Sequence, residues 1–263
     1  MAANPSCARR SPGPKPIQAG RKMNQTRRHE VASGRIRRTR SGATHAHRSG
    51  ILVVMTRVSP REAMEFELFY DYRCPYVYRA SVLIENVKAS GKRDINVRWR
   101  YFSLTQVNSK VEGWTVWNAP ETEEVRGRLS FKAAEAARRQ DKFDDLHMPL
   151  LRAKHRDNLD IEDVAVVERV AVESGLDLER FRKDVADPQT IHALARDHQR
   201  AVSEHGVFGT PTFVFPAGES AYVRLSDILE GDEALHVFDQ VIAIASHEPR
   251  ILELKRPTRP SRD

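Results

Sequence analysis

Cysteine is scarce in this chain: 263 residues hold two, Cys7 and Cys74. That excludes a disulfide-stapled scaffold and fits a reducing, cytoplasmic setting. Neither cysteine stands at zinc-ligand spacing from other Cys or His residues, so no metal site is expected. A phosphate-binding Gly-rich loop is missing, and so is any internal repeat. Long apolar runs are missing too. The run Ile51-Leu52-Val53-Val54-Met55 is too short for a signal h-region or a membrane span, so no membrane partner is expected.

Positive charge is abundant but unevenly placed. The formal charge is +7, yet residues 1–63 hold 14 Lys and Arg against 2 Asp and Glu, which leaves the remainder mildly acidic. The later part therefore lacks the electrostatic footprint of a nucleic-acid-binding surface. Residues 1–50 are rich in Arg, Ser, Gly, Pro, Ala and His and contain little that could form a core. Such a segment is expected to be disordered. It reads as a basic arm, a transit peptide or the product of a start assigned too early. The last reading is preferred, because Met64 directly precedes the first strand and leaves a single-domain length after it.

What is present centres on Phe69-Tyr70-Asp71-Tyr72-Arg73-Cys74-Pro75-Tyr76-Val77-Tyr78. Residues 66–70 read as a short buried strand. Ala80, Leu83, Ile84 and Val87 then recur at helical spacing, and Gly91 marks the stop. Cys74 thus falls on a strand-to-helix turn, with Pro75 at the first helical position, where a missing N–H costs nothing. Free amides and the positive end of the helix dipole are expected to face the sulfur and favour its reactive thiolate form. The bland alternative is a buried structural cysteine. A dithiol motif would need cysteine at position 77, where Val77 stands; the motif is Cys-Pro-Tyr-Val.

Further along, residues 95–101 alternate as a half-buried strand and complete a βαβ unit. A loop over residues 103–120 carries Trp114 and Trp117, either groove-lining or simple packing. Helices are expected over 123–140, then after caps at Asp160 and Asp177, then from Asp187-Pro188 to Gly206. Residues 212–215 and 221–225 read as a hairpin, and a last helix places Leu235, Phe238, Val241 and Ile242 on one face. The divisions are a leader over 1–63, α/β parts over 64–118 and 206–248, a helical insertion over 119–205 and a tail over 249–263. His147 falls on an insertion helix, either within reach of the cleft or satisfied in the interior.

This order, with Cys-Pro at one helix start and Gly206-Val207-Phe208-Gly209-Thr210-Pro211-Thr212-Phe213 before a later strand, resembles the DsbA-like family over residues 65–246. The family has a thioredoxin fold (α/β) with an inserted helical domain. It includes FrnE-type oxidoreductases, 2-hydroxychromene-2-carboxylate isomerases and kappa-class glutathione transferases. The resemblance implies a cis Pro211 beside Cys74 and a Thr210 backbone that pairs with a bound peptide or thiol. It implies Cys74 as nucleophile, with Asp71, Pro75, Tyr76, Thr210 and Pro211 as substrate- or thiol-binding residues and Tyr72 at the border. Asp71 could move a proton or serve as a turn residue. With one cysteine, a glutathione-type low-molecular-weight thiol would act as co-substrate and no cofactor would be held tightly. The isomerases and transferases usually carry Ser at this position, so thiol exchange is the first expectation. Glutathione-dependent isomerisation or transfer is the second, and a non-catalytic peptide-binding module the third.

Overall fold

The computed structural model describes residues 63–256. The leader, Cys7 and the last residues of the tail lie outside the described residues.

The chain runs β1 (Met64–Tyr70), α1 (Pro75–Ala89), β2 (Ile95–Tyr101), α2 (Leu104–Asn108), α3 (Arg128–Arg138) and α4 (Phe143–His155). It continues with α5 (Val164–Glu173), α6 (Leu178–Ala186), a 3₁₀ turn (Pro188–Ile191), α7 (His192–His205), β3 (Thr212–Val214), β4 (Ser220–Tyr222) and α8 (Gly231–His247). The four strands form one sheet in the order β2-β1-β3-β4. β1 and β2 are parallel, joined through α1, while β3 pairs antiparallel with β1 and β4 antiparallel with β3. Helices α2 to α7 fall between β2 and β3. This is the thioredoxin fold with helices inserted, as in DsbA-like proteins.

β1 is central and buried on both faces, as a parallel-paired inner strand must be. Phe66, Leu68 and Tyr70 join the main core with Val77, Leu83 and Ile84 of α1. Phe69 points the other way, into a second cluster with Phe102, Ala201 of α7, Val207 and Val214. Each fully buried Val, Leu, Ile or Phe among them contributes about 1.5–3 kcal/mol. α8 packs on α1, with Ala234, Phe238 and Ile242 buried. Leu235 is only partly buried, so the apolar face of α8 is rotated slightly from the expected stripe.

Several boundaries differ from expectation for local reasons. α3 starts at Arg128, because Gly127 adopts φ 86 and breaks the run expected from residue 123. The expected loop after β2 contains α2, capped by Ser103, whose hydroxyl accepts from Gln106 N. Asp163, not Asp160, caps α5 by accepting from Ala165 N. Asp160 instead closes a turn onto Glu162 N, which lets Ile161 enter the core. Asp187 caps the 3₁₀ turn, not α7 directly, while Asp177 caps α6 and Gly206 (φ 61) ends α7 as expected. Among the described residues, no helix is long and apolar enough to cross a membrane.

Candidate active site

Cys74 is the N-cap of α1, with extended backbone angles and Pro75 next to it. Its carbonyl accepts from Val77 N at 3.1 Å and Tyr78 N at 3.4 Å, so the first turn closes on the backbone of the cysteine. The thiol makes no capping bond to the helix amides, contrary to the expected arrangement. It donates to the Thr210 carbonyl, with Sγ 3.2 Å from the oxygen. The Thr210–Pro211 peptide is cis. The two motifs, 136 residues apart, therefore meet at the sulfur, which belongs to a residue only 4% exposed. Val77 is fully buried in the core.

The turn ahead of Cys74 is held from three sides. Asp71 is buried, and its two carboxylate oxygens accept from Arg73 N and Leu104 N, both at 2.8 Å. Its carbonyl accepts from Cys74 N at 3.0 Å. Burial raises the Asp71 pKa, and the two amides and Arg73 oppose that rise. With both oxygens on backbone donors, the carboxyl ties the turn to the start of α2. It has no hydrogen bond to Cys74. Arg73 reaches Thr105 Oγ1 at 2.7 Å.

Helix α4 holds Tyr72 at both ends. His147 Nδ1 meets the Tyr72 hydroxyl at 3.1 Å, and His155 Nε2 donates to the Tyr72 carbonyl at 2.8 Å. His155 also stacks on Tyr78, with ring centroids 5.6 Å apart. His147 is buried behind the turn, among the rings of Tyr70, Tyr72, Trp99 and Phe143. Burial, with the Arg138 charge adding to it, pushes its pKa down to about 3, so the ring is neutral near neutrality. It is an interior support and not a group in the cleft.

Pro75 is exposed at the helix start, and Tyr76 is half-buried. Thr210 is buried with its carbonyl on Cys74. Cys74, Pro75, Thr210 and Pro211 come together, the Tyr76 ring faces the guanidinium groups of Arg79 and Arg224, and the Asp71 carboxylate is held by backbone amides of the turn and of α2. The tryptophans are occupied by packing: Trp114 Nε1 donates to Glu123 at 3.0 Å, and the Trp117 ring lies 5.5 Å from that of His198. Residues that pattern reading missed include Arg73, His155, Glu162 and Gly127. Glu162 accepts from Gly127 N at 2.6 Å, and a Cβ on Gly127 would stand 3.3 Å from Arg73 Cδ. Only the His147–His155 spacing, which puts both on one face of α4, carried a signal.

The sequence matches the DSBA-like thioredoxin domain family over residues 65–243. A Mycobacterium tuberculosis protein, Rv2286c, is 28% identical over 198 residues, covering 74% of this chain and 83% of that protein. A Salinispora tropica Na(+)/H(+) antiporter, NhaA 3, is 31% identical over 155 residues, covering 59% of this chain but only 20% of the antiporter. Among solved structures, a probable DsbA oxidoreductase from Streptomyces coelicolor superposes with a TM-score of 0.52 at 21% identity, covering 73% of this chain and 94% of that one. At that identity the likeness speaks for the fold. Family match, sheet order and the meeting of Cys74 with the cis-proline turn agree: the chain belongs to the DSBA-like thioredoxin domain family.

Proposed function

We propose that the protein is a thiol-disulfide oxidoreductase that works through Cys74 alone, with a glutathione-type low-molecular-weight thiol as co-substrate. The observation that carries this reading is the 3.2 Å contact between Cys74 Sγ and the Thr210 carbonyl at the start of α1, with buried Val77 where a resolving cysteine would stand. A substrate laid along residues 209–212 takes over the Thr210 carbonyl with its own N–H and releases the thiol from that contact. The freed thiol loses its proton to solvent, and the resulting Cys74 thiolate attacks one sulfur of a disulfide R–S–S–R. The S–S bond breaks, R–S⁻ leaves, and a Cys74–S–S–R mixed disulfide forms. A second thiol R′–SH then attacks the R sulfur, gives R–S–S–R′, and returns Cys74 as thiolate with the proton passing to solvent. No net oxidant is consumed. Val77 offers no thiol, so resolution comes from outside.

A reducing cytoplasm, which keeps such a thiol pool, is the compartment this chemistry fits. Phe208, 67% exposed two residues before Thr210, adds an apolar foothold for a peptide bearing the disulfide. Cysteine in place of the Ser usual in the related isomerases favours exchange over activation of a bound thiol.

The test uses Cys7→Ser protein incubated with oxidised glutathione and read by intact-mass spectrometry. The expected result is one glutathione adduct, mapped to Cys74, stable until a second thiol is added and absent in Cys74→Ser. An unmodified Cys74 under conditions that modify free cysteine would refute the reading.

A further inference from the structure

Next to the segment that meets the cis-proline turn, two guanidinium groups stand without a carboxylate partner among the described residues. Val223, just past β4, donates from N to the Pro211 carbonyl at 3.1 Å, which anchors this segment to the cis-proline turn. The next residue is Arg224. Its guanidinium carbon lies 5.0 Å from the Tyr76 ring centroid and 6.0 Å from that of Tyr222, within the range of a cation over an aromatic face. Arg79, one turn into α1, stands 5.4 Å from the same Tyr76 ring and donates to the Leu225 carbonyl at 2.9 Å. Neither arginine joins an ion pair, whereas Arg93, Arg100 and Arg139 each do. The nearby Asp227 carboxylate accepts from its neighbour Ser226.

These groups share the neighbourhood of the nucleophile. Tyr222 stands opposite Thr212 in the β3–β4 pairing, and its ring packs on Gly209. Burial raises the Tyr222 pKa, Arg224 opposes that rise, and Cys74 and Tyr76 add to it, so Tyr222 lies within electrostatic reach of each of the three. The rings brace the guanidinium and reduce the side-chain entropy lost when it grips a ligand. Arginine presents a planar fork that matches a carboxylate.

We propose that Arg224, braced by Tyr76 and Tyr222 and supported by Arg79, selects thiols and disulfides that carry a carboxylate near the reacting sulfur. This rests on Cys74 as the nucleophile of the preceding section. Arg224 touches the substrate, not the reacting atoms. It positions the disulfide, raises the encounter rate for anionic substrates and lowers it for cationic ones.

The experiment measures the rate of Cys74 mixed-disulfide formation in Cys7→Ser protein. The probes are the dianionic disulfide of thionitrobenzoate, neutral dithiodipyridine and dicationic cystamine. Arg224→Gln is expected to slow the anionic probe by about tenfold, within the range of charge-steered association. The neutral probe should change by less than about twofold. Added salt should bring the wild-type anionic rate toward that of the variant. Equal slowing of all three probes, or no slowing of the anionic one, overturns the proposal. If wild type reacts with none of them, the nucleophile reading has failed. Binding of reduced glutathione against its diethyl ester to Cys74→Ser, with and without Arg224→Gln, then decides Arg224 separately. A preference for the acid that disappears in Arg224→Gln supports the proposal, and equal affinity for acid and ester overturns it.

Discussion

The hydroxyl of Tyr72 lies 3.1 Å from Nδ1 of His147, joining the turn before Cys74 to a helix 75 residues later. Both groups are buried. A neutral imidazole has one donor and one acceptor nitrogen, so either tautomer completes the pair. The same tyrosine is held at its carbonyl by His155. Two side chains eight residues apart on α4 thus fix one residue of the turn at opposite ends. Helix α4 therefore holds the turn before Cys74 through Tyr72, as α2 holds it through Asp71 and Arg73.

Tyr72→Phe keeps the ring and removes one partner of a buried pair. Leaving His147 Nδ1 without a partner is expected to cost about 1–3 kcal/mol. Urea unfolding should show a lower midpoint with an unchanged slope. A midpoint equal to that of the parent would mean that the Tyr72–His147 contact contributes nothing net.

Val77→Cys tests whether position 77 alone separates this site from a dithiol one. Val77 is fully buried in the core. The smaller side chain should cost about 1 kcal/mol. After exposure to oxidised glutathione, the variant should end with an internal disulfide between Cys74 and the introduced thiol, and free glutathione released. The parent should keep its adduct. A persistent adduct on the variant would show that the two sulfurs cannot meet.

Gly127→Ala reaches the site from the insertion. Gly127 sits at φ 86, where alanine is strained, and the new Cβ would press on Arg73 Cδ at 3.3 Å. The expected loss is about 1 kcal/mol or more. The Cys74 exchange rate should fall as well, because Arg73 adjoins the cysteine. Unchanged exchange in a destabilised variant would confine Gly127 to starting α3.

The strands and the turn were legible in the sequence because period and punctuation coincide there. β2 alternates over residues 95–101 and is found over Ile95–Tyr101. The meeting of the second motif with the cysteine was legible only through the resemblance to the DsbA-like family, and Cys74 Sγ does contact the Thr210 carbonyl. Helix starts in the insertion were less legible. Asp160 and Asp163 are both competent caps, and only burial of Ile161 chooses between them. Gly127 looks like an ordinary residue within a helical run until its positive φ is seen. The side chains around the site were least legible, since Arg224, Tyr222 and His155 acquire meaning only when distant segments meet. A single chain has no period for such contacts. Asp71 was open to two readings from its place beside the motif, proton transfer or a turn residue, and its two oxygens on backbone amides favour the second.

Acid stability should expose two groups that pull in opposite directions. Burial lowers the His147 pKa from its ordinary 6.5 to about 3. The unfolded chain therefore takes up a proton below 6.5 that the native ring refuses, so this residue costs stability as pH falls. Glu162 behaves oppositely. Burial raises its pKa from 4.5 to about 7, with the Gly127 amide and Arg73 opposing and Asp160 and Asp71 adding. Between 4.5 and 7 the native carboxyl keeps a proton that the unfolded chain has released. Its contribution is full below 4.5 and is lost as pH rises through 7. Each one-proton difference is worth about 1.4 kcal/mol per pH unit, so in the shared window from 4.5 to 6.5 Glu162 offsets His147. His198, lowered by burial to about 4, adds to the histidine side. Glu162→Gln removes the offset. Its unfolding free energy should fall more steeply than wild type on acidification through that window, by about 1.4 kcal/mol per pH unit. Urea titrations at half-unit steps would show this. Parallel curves would mean that Glu162 is already ionised throughout the window, with the Gly127 amide and Arg73 outweighing its burial.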